Sequence, residues 1–333
     1  MKKLLAAVLI AIFSISALTS CGQGLSRFSV TYTDVFDTVT VITAYAKSEA
    51  VFNKAANAAH DELLRLHKLY DIYNEYDGIT NLATLNRLCG ESAQPVCKDI
   101  EILIKSGLEY AALTNGKLNI AAGNLTCLWH DCIANGTGLP TGEALIKAKE
   151  HISYKSVKLE NGTLSFDDPK IKLDVGATAK GYAAERAAAV LEENGISDYL
   201  INAGGNVVSK GKKPDGEWKI GIQDPAKQTG EYRFIVAVKD KSVVTSGSYE
   251  RFFEYGGKRY SHIIDLEKLY PSDRYVSVTV LCGSSADGDA LSTALFCMSV
   301  SDGKALLKQK NAEALWIYEN GEYEKTDGFK IYE

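Results

Sequence analysis

What this sequence lacks narrows it before anything it contains. It has no excess of positive charge: 37 Lys and Arg stand against 42 Asp and Glu, a formal net charge of −5. Without a basic footprint, a nucleic-acid partner is not expected. There is no Gly/Ser-rich linker, no Pro-rich tract and no internal repeat, so the chain is one large domain or two fused lobes. His is scarce, at 5 residues. None of the cysteines forms a CxxC, and no His spacing supports zinc. Past the N-terminus no apolar run reaches the roughly 20 residues that a membrane span needs.

What is present begins with a signal. Lys2 and Lys3 precede the apolar run Leu4 to Leu18, which is short for a span and suits the hydrophobic region of a signal peptide. It ends in Leu18-Thr19-Ser20-Cys21, small residues before a Cys, as in a lipobox. We expect a lipoprotein signal peptide over 1–20 and lipidation of Cys21. A tether over 21–30 and a folded body over 31–333 would follow. The expected place is the cell membrane, lipid-anchored on its extracytoplasmic face, where acyl chains give stable anchoring. Six cysteines remain. Cys89 with Cys97, and Cys127 with Cys132, are near enough in sequence to pair, and the pattern leaves paired and free states open. Cys297, inside Ala294-Leu295-Phe296-Cys297-Met298, reads as a core residue.

The patterning mixes helices and strands without regular βαβ alternation. Phe28 to Ala46 reads as a strand pair or one long strand. Val51 to Tyr73, Ile100 to Thr114, Ala144 to His151 and Ala179 to Asn194 read as helices, with a short helix or turn at Asn81 to Leu88. The Asn161-Gly162 pair predicts a hairpin. Tyr199-Leu200-Ile201 is a buried strand, strands dominate from Trp218 to Leu281, a final helix begins near Asp287, and Trp316-Ile317-Tyr318 returns to strand. The expected class is α+β with largely antiparallel sheets.

Four motifs carry chemistry. Leu173-Asp174-Val175-Gly176-Ala177-Thr178-Ala179-Lys180-Gly181-Tyr182 runs from a strand into a helix start, where N–H groups and an ammonium suit a phosphate. Its glycine spacing is not that of a Walker A loop. Asn202-Ala203-Gly204-Gly205-Asn206 allows close backbone approach, or is simply a tight turn. Thr245-Ser246-Gly247-Ser248-Tyr249-Glu250-Arg251 is followed by Tyr260-Ser261-His262-Ile263-Ile264-Asp265. In Ala286-Asp287-Gly288-Asp289-Ala290-Leu291-Ser292-Thr293-Ala294-Leu295, Asp289 and Thr293 share a helix face. Such hard oxygens suit Mg²⁺. Taken alone, each motif reads more simply as a cap, a tight turn or a structural histidine.

In this order and together, the motifs resemble the FAD:protein FMN transferases, the ApbE family, from about Phe36 to Met298. The resemblance implies an ApbE-like, T-fold-related fold. It implies cleavage of the FAD pyrophosphate, transfer of FMN to a Ser or Thr hydroxyl of a target flavoprotein, and release of AMP. It implies Mg²⁺ held by the Ala177 carbonyl with Asp289 and Thr293, Ser292 being adjacent. FAD contacts are implied at Phe36, Tyr73, Lys117, Leu118, Asn119, Asp174, Lys180, Ile263 and Ile264. The implied acceptor is a subunit of a membrane redox complex or an extracellular flavoprotein. We expect His262 as general base beside Lys180 and Asp289, since an imidazole suits that task near neutrality. The chain departs from the family at Phe36-Asp37 (usually Met-Gly), Asn119 (Asp), Glu185 (Asp), and Leu266, Lys268 and Leu269 (Pro, Thr and Gly). The same residues would also serve a Mg²⁺-dependent FAD pyrophosphatase, and a flavin-binding lipoprotein is the reading of another class.

Overall fold

The β-branched run near the N-terminus folds as a hairpin of two strands, β1 (Ser26–Val35) and β2 (Thr38–Ala46), so the strand-pair reading holds. This computed structural model describes residues 24–332 apart from 137, 228 and 229. Cys21 and the signal expected over 1–20 lie outside the described residues, and β1 starts within the stretch expected as tether. Six further strands join the hairpin: β3 (Tyr199–Ala203), β4 (Asn206–Lys210), β5 (Ser242–Gly247), β6 (Ser277–Cys282), β7 (Glu313–Ile317) and β8 (Tyr323–Lys325). They stand side by side in chain order, and every neighbouring pair is antiparallel. The sheet is a meander whose turns have been opened by long excursions.

The largest excursion, between β2 and β3, carries α1 (Glu49–Tyr70), α2 (Leu82–Arg87), α3 (Lys98–Leu113), α4 (Gly123–Asn135), α5 (Gly142–Lys149) and α6 (Ala179–Glu193). It also holds a small sheet whose Asn161-Gly162 turn has both residues at positive φ, as a two-residue hairpin requires. Between β6 and β7 lie α7 (Ser285–Phe296) and α8 (Val300–Lys310), two helices where the sequence predicts one. Helix α4 was also not predicted; it starts with Gly123 and has no side-chain cap, and the burial of Leu125, Trp129 and Cys132 on one face holds it instead.

Helices α1, α6 and α7 cover one face of the sheet. Ala55, Ala56 and Ala59 of α1 and Ala183, Ala184 and Ala187 of α6 are buried in one core with Ile42, Ile201 and Leu63, and their small side chains let the helices lie close. The opposite face is covered by a two-stranded ribbon, Trp218–Gln223 with Tyr232–Val238, through Trp218, Ile220 and Val236 against Val243 and Leu315. Burying each such aliphatic side chain contributes roughly 1.5–3 kcal/mol. Among the described residues no helix is long and apolar enough to cross a membrane. Among the described residues no disulfide links Cys89 to Cys97 or Cys127 to Cys132.

Candidate active site

Two helix starts meet at one corner of the sheet. The chain enters α6 through a turn in which Asp174 Oδ1 accepts the Gly176 N–H (2.8 Å) while its Oδ2 accepts the Thr126 hydroxyl (2.6 Å). In an unbroken helical ladder the Gly181 N–H would go to the Ala177 carbonyl. Here it is donated to Asp289 Oδ2 of α7 at 2.8 Å, which leaves the Ala177 carbonyl outside the ladder. The approach demands a glycine: a Cβ at Gly181 would fall 2.2 Å from the Ser285 carbonyl oxygen. Asp289 is 3% exposed, and its other oxygen lies 3.7 Å from Lys180 Nζ. One turn further along α7, Thr293 Oγ1 is 3.4 Å from Ser246 Oγ at the end of β5, which also bonds Ser292 Oγ at 2.8 Å.

Among the described residues no three His, Cys, Asp or Glu side chains gather to hold a metal ion. A cation at this corner would therefore draw on different kinds of oxygen. The released Ala177 carbonyl, the Asp289 carboxylate and the Thr293 hydroxyl are all hard donors, the set that suits Mg²⁺ with room left for water and phosphate. The residues present fit that ion.

Around the corner stands His262. Its Nδ1 is 3.1 Å from the Arg251 carbonyl oxygen, so Nδ1 carries the proton and donates it, and Nε2 keeps its lone pair. The residue is exposed, with the Arg251 guanidinium and the Lys180 ammonium near enough to act on the ring. Desolvation by the surrounding protein, with the positive charges of Lys180 and Arg251, lowers its pKa to about 4, against the opposing hydrogen bond to the Arg251 carbonyl. The ring is thus neutral at pH 7. Burial likewise raises the Glu250 carboxyl, opposed by Arg251 and Lys180.

Arg251 ties further residues in. Its guanidinium donates to the Phe36 and Asp37 carbonyls at 3.1 and 3.4 Å, across the β1–β2 turn. Phe36 and Asp37 both sit at positive φ, 53° and 50°, in the two-residue turn geometry that favours glycine. The Phe36 N–H is held by His67 Nδ1 at 3.1 Å. Gly204 of the Asn-Ala-Gly-Gly-Asn stretch packs on Thr38 of the same turn, where a Cβ would meet the hydroxyl at 2.3 Å, so this motif is a tight turn between β3 and β4. Tyr73 is 53% exposed and stacks on His130 with ring centroids 4.8 Å apart. Burial first, then the charges of Asp174, Cys127 and Asp131, push its phenol pKa up, while Arg251 works the other way. Beside Tyr73 a groove of about 470 Å³ runs past Asn86, Asn124 and Lys172; a larger hollow of about 630 Å³, near Arg233 and Tyr323, lies among none of these residues.

The remaining expected contacts are Lys117, Leu118, Asn119, Ile263 and Ile264. Leu118 and Ile263 share one buried cluster, to which Ala177 packs, and Ile264 is buried in another with Trp129 and Phe253. The Leu118 N–H is already given to Thr114 Oγ1 (3.1 Å), and the Asn119 side chain bridges the Ile152 carbonyl and the Ala121 N–H at 2.7 and 2.9 Å. Lys117 forms an ion pair with Glu267. The loop after Asp265 is well tied. The buried Asp265 carboxylate accepts the Glu267 and Lys268 N–H groups at 3.0 and 3.4 Å, and Trp129 Nε1 donates to the Leu269 carbonyl at 3.0 Å. Leu269 has φ 63°, a left-handed residue where a glycine would be free of strain.

The structure thus brings Ala177, Lys180, Asp289 and Thr293 together with His262 near them. It places Phe36 and Tyr73 around Arg251, and ties Lys117, Leu118, Asn119 and Ile264 to other partners and to the core. Sequence reasoning missed the roles of Arg251, Gly181 and Ser246. All three lie inside the motifs read from the sequence, but their partners are too distant in the chain for spacing to show.

The ApbE family model matches residues 36–316. An FAD:protein FMN transferase of Treponema pallidum is 32% identical over 302 residues, covering 85% of this chain and 83% of its own length. One from Vibrio cholerae is 31% identical over 270 residues, covering 80% and 79%. Among solved structures, the ApbE protein of Thermotoga maritima superposes with a TM-score of 0.79 at 26% identity, over 91% of this chain and 97% of that one. The flavin transferase ApbE of Vibrio cholerae gives 0.78 at 26% identity with the same coverage.

Proposed function

The chain belongs to the ApbE family and is a flavin transferase, and from that premise we propose that it transfers the FMN moiety of FAD to a Ser or Thr hydroxyl of a target flavoprotein, with Mg²⁺ required and AMP released. The observation that carries this reading is the corner itself. A released carbonyl, a buried carboxylate and a hydroxyl converge beside an ammonium, within electrostatic reach of a neutral imidazole.

Phosphoryl transfer asks for alignment and charge neutralisation more than covalent help. The Ala177 carbonyl, Asp289 and Thr293 would hold Mg²⁺, which neutralises pyrophosphate charge when bound. Lys180, at the start of α6, orients the phosphates through its ammonium. The acceptor hydroxyl oxygen forms a bond to the FMN phosphorus, the bond from that phosphorus to the bridging oxygen breaks, and AMP leaves with the electron pair. The hydroxyl proton passes to His262 Nε2, whose ring is held by the Arg251 carbonyl. Phe36, Tyr73 and Asp174 form the flavin-nucleotide wall; Lys117, Leu118, Asn119, Ile263 and Ile264 back it.

Incubating the purified protein with FAD, Mg²⁺ and a candidate acceptor tests this. Flavin fluorescence that stays on the denatured acceptor supports transfer. AMP without bound flavin would mean hydrolysis, and neither product would mean simple binding. We further propose that residues 1–20 are removed and that lipid on Cys21 holds the folded body, whose first strand starts at Ser26, at the extracytoplasmic face of the cell membrane, near membrane-bound or extracellular acceptors. Cys21→Ser should then release the protein into the soluble fraction; a variant that stays with membranes refutes the anchor.

A further inference from the structure

Asp289 reaches from α7 to the first turn of α6. Glu185, one turn beyond Gly181 on α6, reaches the other way: its Oε1 accepts the Ala286 N–H, in the first turn of α7, at 3.2 Å. The first N–H groups of any helix have no partner within it. At this corner each helix lends a carboxylate to a first-turn N–H of the other, and the two run antiparallel across the contact. Ser284 Oγ takes the Asp287 N–H at 3.0 Å, so Glu185 and Ser284 together satisfy two successive donors at the start of α7.

The two carboxylates differ in what they leave over. Asp289 gives one oxygen to Gly181 and turns the other toward Lys180. Glu185 is only partly buried and no ligand-facing role attaches to it; its reach ends on the backbone. The α7 backbone it fixes is one turn before Asp289 and two before Thr293. Sliding or tilting α7 against α6 would move both side chains relative to the Ala177 carbonyl. The Gly181 contact sets how near the helices come, and the Glu185 contact sets how far along each other they sit.

We propose that Glu185 is a positioning residue for the metal-binding face of α7, acting through the Ala286 N–H. This rests on the Mg²⁺ reading above. A cap that served stability alone would change melting without touching metal affinity, so affinity is the readout. Mg²⁺ is titrated calorimetrically into the full-length protein without FAD, and the Mg²⁺ half-saturation of transfer is measured separately from the KM for FAD. Glu185→Ala should weaken Mg²⁺ binding about 10-fold, the scale of an outer partner of a ligand, and leave the FAD KM at saturating Mg²⁺ within about twofold. Glu185→Gln keeps the accepting oxygen and should stay within about twofold of the parent. Ala286→Pro removes the donor instead and should reproduce the loss, with nothing added in the double variant. Equal Mg²⁺ affinity in Glu185→Ala and the parent overturns the proposal, as does a loss that Gln does not rescue. Should Glu185→Ala not fold, Glu185→Gln against Ala286→Pro carries the same contrast, and equal affinity in those two overturns it. A parent that takes up no Mg²⁺ removes the Mg²⁺ reading and this one together, an outcome distinct from the first.

Discussion

Asp289 and Asp265 are the same residue type, both buried (3% and 1% exposed), and both accept backbone N–H groups. They serve different ends. Asp265 turns inward on its own loop, capping Glu267 and Lys268, and with Trp129 makes the loop stiff. Asp289 crosses to a neighbouring helix and keeps an oxygen beside Lys180. The first corner is built for charge, and the second for shape. At the α6–α7 corner Ala177, Lys180, Asp289 and Thr293 match the pattern that the resemblance implies and Glu185 departs from it, whereas around Asp265 the departures fall at Leu266, Lys268 and Leu269: a loop held by one carboxylate and one indole tolerates changes in the side chains between.

The largest expected effect breaks the charge side alone. Asp289→Asn keeps an oxygen for Gly181, so the fold should survive, while transfer should fall roughly 10³-fold; chelating Mg²⁺ should reproduce the loss in the parent. Near-parental turnover in the Asn variant would erase the distinction between the two aspartates. Next, His262→Ala should cost transfer about 10²-fold or more with FAD affinity kept. In the parent, kcat/KM should decline only as pH falls through the region of 4, below the ordinary imidazole value of 6.5, because the lowered pKa keeps the ring neutral until then. A midpoint at or above 6.5 would argue against His262.

Asp265→Ala acts on the shape side. Two N–H groups lose their acceptor, and denaturant melts should show a loss of about 1–3 kcal/mol, with Mg²⁺ affinity unchanged. If Mg²⁺ affinity drops as well, the two corners are coupled. The smallest effects concern left-handed residues. Asp37→Gly, at an exposed turn position, should raise stability by about 0.5 kcal/mol. Leu269→Gly should come out near neutral, since relief of about 1–2 kcal/mol of strain opposes the loss of Leu269 packing against the Trp129 cluster. Equal gains in both would show that this packing counts for little.

Much of this was legible in the sequence. The hairpin at Asn161-Gly162, the α6 start after Asp174 and the shared face of Asp289 and Thr293 follow from local pattern, because each depends on neighbours within four residues. Helix α4 did not show, since Gly123, Thr126, His130 and Asp131 dilute its periodicity and its stability comes from Trp129 packing on distant strands. Arg251 as a clasp for the Phe36 turn was hidden for the same reason: its partners are more than 200 positions away. Residues 36 and 37 were visible only as departures; that both take the left-handed form is a fact of the turn, not of the residue types.

The chain-ordered sheet has a consequence in time. Pairing β2 with β3 joins Thr40 to Ala203, closing a loop of about 160 residues at an entropic cost of roughly 4–5 kcal/mol. The turns at Phe36 and Gly204 touch only once that closure is made, whereas the β5–β6 pair and α7 assemble within a shorter stretch. Non-local pairing slows folding, so the corner where α6 meets α7, built within residues 177–296, should be in place while the hairpin bearing Phe36 is still arriving. A chain caught in between would have the charged corner but no turn for Arg251 to clasp, which makes the closing of β2 on β3 the step that completes the site.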